Sequence, residues 1–151
     1  MIDKRIESTM NELINEEIWS TNLYLSLQVY FESEQLPILS SWLNTQAQDN
    51  MNKVYQMMSW IYHNRGCVAI NEIKRDVQKW QAPLSALNEL IEHERYMSRL
   101  VSILLILCRN VDASSNSFIN RLYSDRIYLS TALLELLRIL AQENVRRLPY
   151  F

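Results

Sequence analysis

Glycine is nearly absent from this sequence, with one glycine and three prolines among 151 residues. Strands and hairpins need turn residues in quantity, so a protein built mainly of β-structure is excluded and long helices are favoured. Cysteine is almost as scarce. Cys67 and Cys108 cannot make a disulfide framework, and they read as a loop thiol and a small core residue in a reducing compartment. An excess of one charge is missing too, since the net charge is only −2. Nothing in that balance recruits a nucleic acid or an anionic membrane, and Arg146 and Arg147 read as solvated residues. No run nears the roughly 18 apolar residues that cross a bilayer. Asp3, Lys4, Arg5 and Glu7 interrupt any apolar start of the kind a signal peptide has. The expectation is a cytoplasmic protein without nucleic-acid or membrane partners.

What is present suits one all-α domain over residues 1–151. Apolar residues make up 48% of the chain, enough for a continuous core. The few breakers divide it cleanly. Asp3 is placed to cap a first helix running to about Glu34, Pro37 to open a second, and Gly66 to stop it. Pro83 opens a third helix ending near Asn110, and Asp112 caps a fourth that runs until Pro149. Each segment would be roughly 40–45 Å long at 1.5 Å per residue. Short joins after the first and third helices make those neighbours antiparallel. The long middle connection allows the crossover topology of a four-helix bundle.

Each segment carries an apolar stripe at spacings of three and four, the inward seam of a bundle. The first reads Ile6, Met10, Leu13, Glu17, Ser20, Tyr24, Leu27, Phe31. The second reads Leu39, Leu43, Gln46, Asn50, Lys53, Met57, Trp60. The third is Leu84, Leu87, Ile91, Glu94, Ser98, Val101, Leu105, Cys108. The fourth is Ile119, Leu122, Arg126, Leu129, Leu133, Leu136, Leu140. Glu17, Asn50, Lys53, Glu94 and Arg126 interrupt these seams near mid-helix, at about one level if the helices lie side by side. Ions in a core are costly unless paired. Two acids and two bases balance, so an ion-paired polar layer is expected.

The residues that carry a resemblance are now in view. Asn11 to Leu25 (NELINEEIWSTNLYL), Tyr30–Ser33 (YFES), Gln46–Gln48 (QAQ), Trp80 with Pro83, and Glu92–Glu94 (EHE) are similar to bacterial non-haem ferritins. The match runs without gaps from about residue 11 to 140. The resemblance implies a ferritin-like four-helix bundle and a hollow cage, usually of twenty-four subunits, that oxidises ferrous iron and stores the ferric mineral. It also implies that Glu17 and Glu94 match iron ligands, that Tyr24 lies close by, and that Asp49 and Asp125 match outer carboxylates. Other matching positions depart from the family. Asn50 and Lys53 stand where a ferritin has Glu-x-x-His, and Arg126 and Leu129 where it has Gln and Glu. Iron takes carboxylate and imidazole ligands and is repelled by an ammonium. Lys53 and Arg126 would then supply the positive charge that two metal ions would have brought. The light chains of animal ferritins resemble this in using a salt bridge at that place. Mineral nucleation needs clustered carboxylates, yet Asp49 is the sole acid between Ser40 and Arg65.

The other candidates are weaker. In bacterioferritins a Met beside the second-helix ligand binds haem at a two-fold interface, and Met51 resembles it, although interface packing suffices. Met57 and Met58 fit core packing better than a soft-metal site. His63 falls in a last helical turn, which suits a cation, and His93 sits about 100° from Glu94, away from the seam. Both histidines are expected to be structural or solvent-facing. Ser114, Ser115 and Ser117 read as helix-start residues. Pro149 leaves little room for the fifth helix of many ferritin subunits, which keeps a twelve-subunit cage, with a short loop helix over Asn71–Trp80, as an alternative. The expectation is a cage subunit associated with iron storage, with absent or reduced ferroxidase activity and no cofactor required for folding. One alternative is a structural subunit co-assembling with an active ferritin. Another is weak single-iron chemistry at Glu17, Glu94 and Asp49.

Overall fold

A computed structural model describes residues 1–73, 79–111 and 116–144, except for the side chains at 111, 116 and 142–144. It holds four helices, α1 (Lys4–Ser33), α2 (Pro37–His63), α3 (Pro83–Val111) and α4 (Asn116–Asn144), and no strand among the described residues. None of these helices is long and apolar enough to cross a membrane. The chain forms two compact units, residues 1–80 and 81–151.

In the first unit α1 packs along α2. Asp3 caps α1 as expected, its carboxylate accepting from Arg5 N at 2.8 Å and Ile6 N at 3.4 Å. These donors, Arg5 first, hold the Asp3 carboxyl below its ordinary value. Both helices of this unit end alike. Gln35 and Arg65 take left-handed backbone, with φ of 59° and 60°, and the next residue's N–H reaches back five positions. Leu36 N donates to Phe31 O and Gly66 N to Ile61 O, each at 2.9 Å, which satisfies carbonyls that a helix end leaves open. Ile2 N donates to Asn64 O at 3.0 Å, joining the start of α1 to the end of α2. The pair is therefore antiparallel.

Gly66 stands at the end of α2 as the sequence suggests, but for a different reason. Its backbone is not left-handed. A Cβ there would lie 2.8 Å from Glu7 Oε2 and 2.9 Å from methyl carbons of Ile2 and Ile61. Close packing, not turn geometry, excludes a side chain.

Every residue of the expected α1 row is buried, and Ile14 and Leu23 beside it are buried as well. The row of α2 is not the expected one, since it follows Leu39, Leu43, Ala47, Asn50, Val54, Met57 and Ile61. Gln46, Lys53 and Trp60 are only half-buried and flank the seam. Alternation of three and four permits either choice at each turn, and burial goes to the more apolar residue of each adjacent pair in two of the three cases, Ala47 over Gln46 and Val54 over Lys53.

In the second unit α3 packs along α4. Four residues separate them, a join that spans at most about 14 Å. It cannot run back along a 29-residue helix about 43 Å long, so this pair is antiparallel as well. The α4 row is buried as expected from Ile119 to Leu140, with Leu136 half-buried. On α3 the expectation needs correction. Leu84 is exposed, Ile91 and Ser98 are half-buried, and a second row is buried through Ala86, Leu90, His93, Met97, Leu100 and Leu104. Residues 71–73 and 79–80 are not helical. The remainder of the suggested loop helix, together with Asp112, Ser114, Ser115, Arg146, Arg147 and Pro149, lies outside the described residues.

Candidate functional site

In the second unit, Glu94 on α3 and Arg126 on α4 meet in the interior. Arg126 Nη1 donates to Glu94 Oε2 at 2.6 Å, and the side chains are 2% and 4% exposed. A guanidinium stays charged at any pH a protein survives, and a short charge-assisted bond of this kind holds the carboxylate ionised and oriented. Leu129, one turn beyond Arg126, is buried and offers no donor atom. Asp125 is exposed, because adjacent helical residues point about 100° apart.

His93 is the correction at this position. It is buried, at 8% exposed, with its ring centroid 6.4 Å from that of Tyr96. The signal was available in the sequence. Leu90, Met97, Leu100 and Leu104 share its three-and-four spacing, and a stripe two rows wide would have included it.

In the first unit, Glu17, Ser20 and Tyr24 are buried on α1 and Asn50 is fully buried on α2. Neither Asn50 Oδ1 nor Asn50 Nδ2 has a hydrogen-bond partner. An amide in that state loses its hydration without compensation. Lys53 is half-buried and Asp49 exposed. Met51 is half-buried, Met57 buried, and Met58 half-buried. His63 is exposed, with its Nδ1 2.7 Å from Ser59 O. Cys67 is an exposed free thiol and Cys108 a buried one.

Two features of this unit had no clear sequence signal. Glu7, Asn11 and Asn15, spaced one turn apart on α1, bind the extended segment after α2. Asn11 takes Cys67 O and Ala69 N, each at 2.9 Å. Asn15 takes Ala69 O at 2.8 Å and Asn71 N at 2.7 Å, and Glu7 accepts from Cys67 N at 3.1 Å. The amides mimic a strand edge, which links helical spacing of four to strand spacing of two. The second feature is Tyr30, whose ring centroid lies 5.4 Å from that of Trp80. Its hydroxyl is buried without a hydrogen-bond partner. Burial first, then the charge of Glu34, raises its pKa.

Among the described residues no group of three or more His, Cys, Asp or Glu side chains could hold a metal ion. In the second unit the buried Glu94 carboxylate is instead bonded to the Arg126 guanidinium.

Four long helices with buried carboxylates at mid-helix define an all-α protein of the carboxylate-bearing four-helix class. The family model for the ferritin-like domain matches residues 7–141. A bacterial non-heme ferritin of Bacteroides fragilis is 33% identical over 120 residues, which cover 79% of this chain and 76% of that protein. The chain belongs to the ferritin family. Among solved structures, a humanized archaeal ferritin superimposes with a TM-score of 0.86 at 25% identity, covering 98% of this chain and 93% of that one. A ferritin of Chlorobium tepidum gives a TM-score of 0.86 at 19% identity over the same shares. These likenesses assign the ferritin-like four-helix bundle, with its long connection between the second and third helices.

Proposed function

We propose that this chain is a cytoplasmic ferritin-type cage subunit associated with iron storage whose own central position does not oxidise iron. The carrying observation is the bond between Arg126 and Glu94. In the family that Glu binds iron, and here its carboxylate is committed to a buried guanidinium at 2.6 Å. The other substitutions act in the same sense. Asn50 offers one neutral oxygen where the family has a carboxylate, Lys53 brings an ammonium where it has an imidazole, and Leu129 brings no donor. Glu17 is the one matching ligand left beside Glu94, and Asp49 and Asp125 are exposed. Iron is here a cargo of the assembly and not a group the fold requires.

Large exposed apolar side chains support assembly. Val29 is 72% exposed and Tyr62 75% in the first unit, and Tyr128 is 77% exposed in the second. Exposed apolar surface of this kind fits burial against other subunits. Copies of this chain alone, in the family's usual twenty-four, are the primary form, and mixed cages with an active ferritin subunit are the alternative. Sedimentation of the pure protein reads the first, and native mass spectrometry after co-expression reads the second.

The test of the catalytic reading is an anaerobic ferrous titration followed by oxygen admission to the pure protein. Oxygen consumption at the rate of a protein-free blank is the expected result. Rapid consumption that saturates at two irons per subunit would overturn it.

A further inference from the structure

A hollow of about 350 Å³ opens between α3 and α4, at the small end of the range that holds a small molecule. Its lining is sorted by chemistry. Ile91, Leu133 and Leu134 form an apolar wall, while Ser98 and Ser130 place hydroxyls on opposite helices. Arg95 and Arg99, one turn apart, carry the guanidinium groups of the exposed rim. Arg95 is already engaged by Glu92 at 2.9 Å. Among the described residues Arg99 has no carboxylate partner. Glu94 also lines the hollow, but its charge is neutralised by Arg126. Arg99 thus brings a positive charge to the rim of an apolar recess.

We infer that this hollow is a binding site for a small amphiphilic monoanion, a carboxylate on an aliphatic body. The aliphatic part fills the recess against Ile91 and Leu133, where its transfer from water is favourable. The carboxylate meets Arg99 in a charge-assisted bond and takes the hydroxyl of Ser98 or Ser130 as a second donor. A neutral amphiphile would forgo the guanidinium, and a cationic one would be repelled by it. The inference uses only residues of α3 and α4 and is independent of whether the chain oxidises iron.

Titration calorimetry of the assembled protein with decanoate, below its micellar concentration, tests the site. Saturable binding near one per chain is expected, with decylamine and 1-decanol each at least about tenfold weaker, the scale of one hydrogen bond to a charged group. Arg99→Gln, a change at an exposed position, should weaken decanoate about tenfold. Ser130→Leu should fill the recess and remove binding. Should Ser130→Leu fail to fold, Arg99→Gln still decides the matter. The inference is overturned by an absence of saturable decanoate binding, by decylamine binding as tightly, or by decanoate affinity that Arg99→Gln leaves unchanged.

Discussion

Arg126 and Glu94 face each other across 2.6 Å with both side chains withdrawn from water. Such a pair adds little to stability against an apolar alternative, because each ion gives up its hydration. It does make each partner dependent on the other. Arg126→Met should therefore destabilise the protein by about 3–5 kcal/mol, since it removes the cation bonded to the buried Glu94 carboxylate. Glu94→Leu should cost a similar amount. Combining them should cost less than either alone, and urea unfolding of all three variants reads that order. A double variant as unstable as the sum of the singles would show that the two residues act independently.

Asn50 presents the opposite case. Its amide is fully buried and neither polar atom is hydrogen-bonded. Asn50→Leu keeps the branching and much of the volume while removing the uncompensated group, so it should stabilise the fold by about 1–3 kcal/mol. A shift of the urea midpoint to lower concentration would contradict this account.

The residues at the end of α2 give a paired prediction. Gly66→Ala places a Cβ against Glu7, Ile2 and Ile61 and should cost about 1–3 kcal/mol, the usual range for an overpacked site. Arg65→Gly relieves a left-handed conformation at φ 60° and should gain up to about 1 kcal/mol. Thermal melts should move in opposite directions. The reverse ordering would return the role of the turn to Gly66.

Restoring the family's ligand types should restore iron chemistry. Asn50→Glu, Lys53→His, Arg126→Gln and Leu129→Glu together put carboxylate, imidazole and amide donors where a ferritin has them. Single changes should fail, because any one of them leaves Lys53 or Arg126 in place to repel the metal. The quadruple variant should also be less stable without iron, as added acids crowd the interior unpaired. Oxygen consumption per iron decides the outcome. A well-folded variant no faster than its parent would show that these positions do not share the family's geometry.

The sequence by itself determined the elements. Scarcity of glycine and proline left room only for long helices, and Asp3, Pro37 and Pro83 placed their starts, because capping and breaking are local events set within a few residues. Mid-helix positions of Glu17, Asn50, Glu94 and Arg126 were legible for a similar reason, since three-and-four spacing alone put them on apolar rows. Tertiary structure decided matters in which two segments compete for the same space. Lys53 flanks its seam while Val54 enters it, because spacing allows both and packing favours the apolar neighbour. His93 is buried because α3 buries two rows, and although its spacing with Leu90 and Met97 marks the second row, only packing shows that both rows are used. Gly66 lacks a side chain because Ile2 and Glu7, distant in sequence, close on it beside the nearby Ile61, and no local rule reports a convergence of that kind.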